Sequence, residues 1–81
     1  MTFISLNETF SSTLRELMCE HGISQRELAR KTGVSVASIN YYCQGLKFPK
    51  AQTLYYLAQY FNVSMEYLLT GEDRYVQEHN R

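Results

Sequence analysis

The sequence predicts an all-α fold, a compact bundle of five short helices, and three observations carry that prediction. Apolar residues recur at helical spacing in two stretches, Phe10, Leu14, Leu17 and Met18, then Leu54, Leu57, Ala58 and Phe61. An apolar residue followed by a serine opens a new segment three times, at Ile23-Ser24, Val34-Ser35 and Val63-Ser64. Glycines close segments, at Gly22, Gly33, Gly45 and Gly71. With 81 residues, 44% hydrophobic and 20% charged, the chain has ordinary globular composition and room for one domain. A small core must pack efficiently, and a helical bundle does so.

In the first helix, Ser5-x-x-Glu8 reads as a capping box with Asn7 as a rival cap, so the helix begins near residues 6–8 and ends at Gly22. His21 sits in its last turn, where a donor suits the free carbonyls. The second helix is expected from Gln25 to Thr32. Ser24 caps it, Glu27 completes a capping box, and Ile23 can staple to Leu28. The third runs from Val36 to Gln44, with Ser35 as cap and Val34 stapled to Ile39. The fourth is expected from Lys50 to Phe61, with Pro49 at or near its first position. The fifth runs from Met65 to Thr70, capped by Ser64 and stapled by Val63 to Leu68.

The second and third helices, joined by a short turn bearing Gly33, form a helix-turn-helix. At about 100° per residue, Val36, Ala37, Asn40, Tyr41 and Gln44 fall in one arc of roughly 140°, with Ile39 and Tyr42 pointing the other way. One face is anchored and the other presents short or polar groups outward.

Net charge is zero, yet it is not evenly spread. Residues 24–50 hold Arg26, Arg30, Lys31, Lys47 and Lys50 against Glu27 alone, while both flanks are net acidic. Positive charge thus gathers on the stretch with the divided helix, as a nucleic-acid surface requires. Catalysis finds no support. His21 and His79 stand apart, no nucleophile is paired with a base, and no glycine-rich phosphate loop occurs. No metal or other cofactor is expected: Cys19, His21 and Cys43 lack the paired spacing of a zinc site, so the two cysteines read as free thiols. A Cys19–Cys43 disulfide has nothing to support it. No run reaches the roughly 20 apolar residues of a membrane span, and the N-terminus has no signal-peptide pattern. A cytoplasmic protein, nucleoid-associated when bound to DNA, is the expectation.

The segment Ser24-Gln25-x-Glu27-Leu28-Ala29-x-x-x-Gly33-Val34-Ser35-x-x-x-Ile39, followed by Gly45-x-Lys47-x-Pro49, resembles the Cro/CI-type (XRE, lambda-repressor-like) DNA-binding domain. The resemblance spans about Phe10 to Gly71 in fixed register. The domain is expected over residues 1–71, followed by a polar tail over 72–81 in which Tyr75 and Val76 could extend a helix against a partner. The resemblance implies a regulator of transcription, with repression the expected mode, acting as a dimer on an inverted-repeat operator in double-stranded DNA. The third helix would enter the major groove. On the same basis Gln25 contacts a phosphate and Asn40, Gln44 and Lys47 lie on or near the backbone. Ser35, Val36, Ala37 and Tyr41 lie at base edges. Dimerisation through the C-terminal helices nominates Met65, Tyr67 and Tyr75, with Tyr56 and Tyr60 as second choice on an outer face of the fourth helix that also carries Tyr55.

The chain departs from the family at two places. Many members pair an arginine late in the first helix with a glutamate late in the third, where this sequence has Met18 and Cys43. Both positions are apolar here, which predicts a packed contact in place of an ion pair. Two other readings stay open: a protein-interaction adaptor on the same fold, and a DNA-binding partner in a two-protein switch of antitoxin or phage type, modulated by a second chain.

Overall fold

A computed structural model describes residues 5–72 of the chain. The chain forms α1 (Leu6–His21), α2 (Gln25–Thr32), α3 (Val36–Gln44), α4 (Ala51–Phe61) and α5 (Met65–Thr70). No strand occurs among the described residues. Phe3, Ile4, Tyr75 and Val76 lie outside them.

The serines act as expected. Ser24 Oγ accepts from the Glu27 N–H at 3.0 Å, Ser35 Oγ from Ser38 at 3.0 Å and Ser64 Oγ from Tyr67 at 2.9 Å. Each satisfies an N–H that the first helical turn leaves without an internal partner. Ser5 also caps α1, by accepting from Asn7 at 3.1 Å. Glu27 turns its carboxylate to Arg30 at 2.7 Å. Ile23, Val34 and Val63, the residues before three of the caps, are half-buried against the core. Gly33 ends α2 at φ 79°, a left-handed conformation that costs a side-chain-bearing residue and lets the chain turn tightly into α3. Asn62 ends α4 in the same conformation at φ 59°, a role asparagine tolerates better than other side-chain-bearing residues.

The fourth helix starts one residue later than expected. Lys50 is its N-cap and makes no side-chain capping bond, and Pro49 is buried just outside the helix. Lysine has no acceptor to offer the free N–H groups, so the boundary lacks the signal that the serines provide.

The core draws on every helix: Phe10, Leu14, Leu28, Ile39, Leu57 and Leu68 are all fully buried. Burying a leucine or isoleucine is worth about 1.5–3 kcal/mol, which offsets the ordering of helices too short to persist alone. Phe10 lies at its centre, edge-on to Tyr42 at 5.8 Å and to Phe48 at 5.7 Å between centroids. α1 packs against α3 and α5, α2 against α3 and α4, and α4 against α5. Tyr60 departs from expectation. Instead of joining Tyr55 and Tyr56 on an outer face, it is half-buried, edge-on to Phe61 at 5.0 Å and near His21 at 6.4 Å. A tyrosine at the margin of a helix face buries its ring and leaves its hydroxyl wet.

Met18 and Cys43 meet inside this core, with Cys43 Sγ 3.8 Å from Met18 Sδ and both residues buried. Both cysteines are free. The contact predicts strong coupling. Met18→Arg alone should destabilise by about 3 kcal/mol, the cost of an uncompensated buried charge, and Cys43→Glu alone should also destabilise. The double variant should recover at least ~1 kcal/mol relative to the sum of the singles in urea unfolding. Additive effects would show that the two sites do not interact.

Candidate nucleic-acid interface

The third helix divides as its sequence requires. Ile39, Tyr42 and Cys43 are buried, whereas Ser35, Val36, Ala37, Asn40, Tyr41 and Gln44 are exposed. Val36 is 44% exposed and Tyr41 46%, so neither side chain is used up in packing against α2. Hydrophobic side chains left in water along a buried-backed helix present a contact surface. Gln44 Nε2 donates to Asn40 Oδ1 at 2.9 Å across one helical turn, which holds two amides together on the outer edge of that surface. The Ser35 oxygen already accepts from Ser38, which leaves its hydroxyl proton and one lone pair to offer outward.

The C-terminal end of α3 leads directly into the expected backbone contacts. Gly45 and Leu46 donate their N–H groups back to Tyr42 O at 3.1 Å and Tyr41 O at 3.0 Å. This closes the helix, and the exposed Lys47 follows. Gln25, at the first position of α2, is half-buried. Its side chain lies beside the Cys43 thiol, where it favours the thiolate. Burial pushes the Cys43 thiol above its ordinary value, with Arg15 and Gln25 opposing that shift. The thiol is therefore a neutral packing group at physiological pH.

Met65 and Tyr67 lie elsewhere. Both are on α5, half-buried against the core, and α5 packs on α1 and α4. An open groove beside Tyr67 runs past Leu17, His21, Phe61 and Val63. Tyr75 is outside the described residues.

Sequence reasoning missed three residues near the interface. Leu46 is 67% exposed, and Phe48 is exposed on one side while its ring touches Phe10 on the other. They occupy an irregular segment, where periodicity gives no face assignment. The third is Arg15 on α1, whose Nη1 donates to the Cys43 carbonyl and to Ser11 Oγ. Nothing local relates residues 28 apart in sequence.

Comparison with known proteins agrees with this geometry. The helix-turn-helix family profile matches residues 14–68. The chain is 30% identical over 69 residues to the cryptic phage CTXphi transcriptional repressor RstR of Vibrio cholerae, covering 85% of this chain and 62% of that protein. The chain thus spans somewhat less than two thirds of the length of that relative. It is 33% identical over 60 residues to an uncharacterised HTH-type transcriptional regulator of Archaeoglobus fulgidus, covering 74% of this chain and 86% of that one. Among solved structures it resembles the solution structure of the SOS-response transcriptional repressor LexA from Eubacterium rectale. The TM-score is 0.77 at 30% identity, covering 90% of this chain and 76% of that one. The profile match extends across all of α2, α3 and α4, and the chain belongs to the helix-turn-helix family, of the XRE type.

Proposed function

We propose that this protein is a sequence-specific, double-stranded DNA-binding regulator of transcription, a repressor that acts as a dimer from the cytoplasm. The observation that carries the reading is the outward face of α3, exposed from Ser35 to Gln44 while its reverse side is locked in the core. In this mechanism α3 lies in the major groove and α2 crosses the backbone. Gln25, Asn40, Gln44 and Lys47 hold phosphates and set the register, and Ser35, Val36, Ala37 and Tyr41 meet base edges. The repressor mode is supported by the similarity to RstR and LexA, both transcriptional repressors. Met65, Tyr67 and Tyr75 are the proposed dimer contacts, and Tyr67 lines an open groove of mixed apolar and polar character. Selection of bound duplexes from a random pool should return an inverted repeat with half-sites about one turn, roughly 34 Å, apart. Sites without a dyad, bound by a single chain, would remove the dimer from the account.

One observation favours a second reading, a protein-interaction adaptor or a switch component whose reading face a second chain covers. No lysine or arginine stands on α3, and Val36, Tyr41, Leu46 and Phe48 leave apolar surface exposed on it and just after it. Salt dependence separates the readings, because phosphate contacts release counterions and protein contacts with so little charge do not. Lys47→Ala should weaken binding to all duplexes alike and flatten the slope of log K against log salt by about one. Gln25→Ala should weaken binding with the slope nearly unchanged. A Lys47→Ala protein with altered sequence preference and an unaltered slope would place that lysine at a base.

Val36 and Ala37 cannot donate to purine edges, but they can pack on a thymine C5-methyl. Replacing the contacted thymine by uracil should cost about 1 kcal/mol, the worth of one methyl-sized group. Val36→Ala should abolish most of that difference. Equal affinity of the wild-type protein for thymine and uracil sites would show that Val36 touches no methyl.

A further inference from the structure

Arg15 lies in the middle of α1, outside the helix-turn-helix, and its charge has no role in the contacts assigned above. Its Nη1 donates to Ser11 Oγ and to the Cys43 carbonyl, both at 2.5 Å. That carbonyl is already satisfied, because the buried Ser11 hydroxyl donates to it at 2.7 Å. A neutral hydroxyl therefore suffices to close this end of α3, and the guanidinium adds a charge that the cap does not need. No carboxylate among the described residues forms an ion pair with it: the ion pair there is Arg30–Glu27. Of the five N–H donors of an arginine, those on Nε and Nη2 find no protein partner among the described residues, and Arg15 as a whole is exposed.

Its position matters as much as its charge. Cys43, whose carbonyl holds Arg15, immediately precedes Gln44, and Lys47 follows within one turn of chain. Gly45 lies against the same edge, since a Cβ placed there would stand 3.9 Å from Ser11. Arg15 thus adjoins the end of α3 from which two of the proposed backbone contacts project. One corner of its guanidinium is pinned, so less side-chain freedom is lost when the remaining donors engage an anion.

We propose that Arg15 is a further DNA-phosphate contact, supplied by α1 to the backbone flanking the end of α3. This inference rests on the reading of the protein as a duplex-DNA binder. It also bears on the zero net charge, because it adds a cation from an otherwise acidic segment to the bound surface.

The test uses the full chain and a duplex selected from the random pool, with affinity measured across a salt series for the wild type, Arg15→Gln and Arg15→Lys, and folding checked by circular dichroism. Loss of one phosphate contact should lower the salt slope of Arg15→Gln by about 0.9. Its affinity for the selected duplex and for an unrelated one should fall by the same factor. Arg15→Lys should keep the slope. An unchanged slope in a folded Arg15→Gln protein would reduce Arg15 to an internal cap and overturn the proposal. Should Arg15→Gln fail to fold, phenylglyoxal modification of the wild type decides. Arg15 should be protected by the duplex, and equal modification with and without it overturns the proposal. A wild-type chain without salt-dependent duplex binding would remove the DNA reading itself, whereas normal wild-type binding with an indifferent Arg15 removes this inference alone.

Discussion

A nine-residue helix does not persist in water, yet the proposed interface is the outer face of one. The constraint on this fold is therefore that α3 be held from behind. Ile39, Tyr42 and Cys43 do this by entering the core from one side, Ile39 fully buried and the other two nearly so. Their partners come from elsewhere in the chain: Phe10 meets Tyr42, Met18 meets Cys43, and Gln25 reaches the Cys43 thiol. What these contacts fix is the rotation of α3 about its own axis. A rotation of one residue, about 100°, would bury Val36 or Tyr41 and turn a core residue outward.

The sulfur contact at Met18 and Cys43 shows how one fold tolerates different chemistry at this junction. A buried ion pair gains Coulomb energy but must offset the desolvation of both charges, and apolar replacements of similar volume are often neutral or better. In this chain the Ser11 hydroxyl closes the end of α3 by donating to the Cys43 carbonyl, and Arg15 of the same helix α1 donates to that carbonyl as well. Met18 and Cys43 are buried without charge, and the cation beside them, Arg15, is exposed.

Much of this was legible in the sequence because the relevant forces are local. A serine that accepts an N–H three residues on, and an apolar residue beside it, mark a helix start without reference to the rest of the chain. The bounds of α2, α3 and α5 matched expectation for that reason. α4 did not, since Lys50 has no acceptor. Periodicity placed Leu54, Leu57, Ala58 and Phe61 in the core, but it misplaced Tyr60, whose ring is turned inward by His21 and Phe61 from the margin of the helix face. The Met18–Cys43 contact was legible only through a family pattern of paired residues. Arg15 was not legible at all, because its partner Cys43 is reached through the fold rather than along the chain.

The face that results carries no charge of its own. On the proposed reading, affinity comes from the flanks, and discrimination from methyl groups, one hydroxyl and a tyrosine ring. Amide chemical-shift mapping during titration with a selected duplex tests this most directly. The account predicts the largest shifts from Ser35 to Lys47 and at Gln25, with α4 around Tyr55 and Tyr56 little changed. Shifts concentrated on Tyr55 and Tyr56, with α3 unaffected, would contradict it.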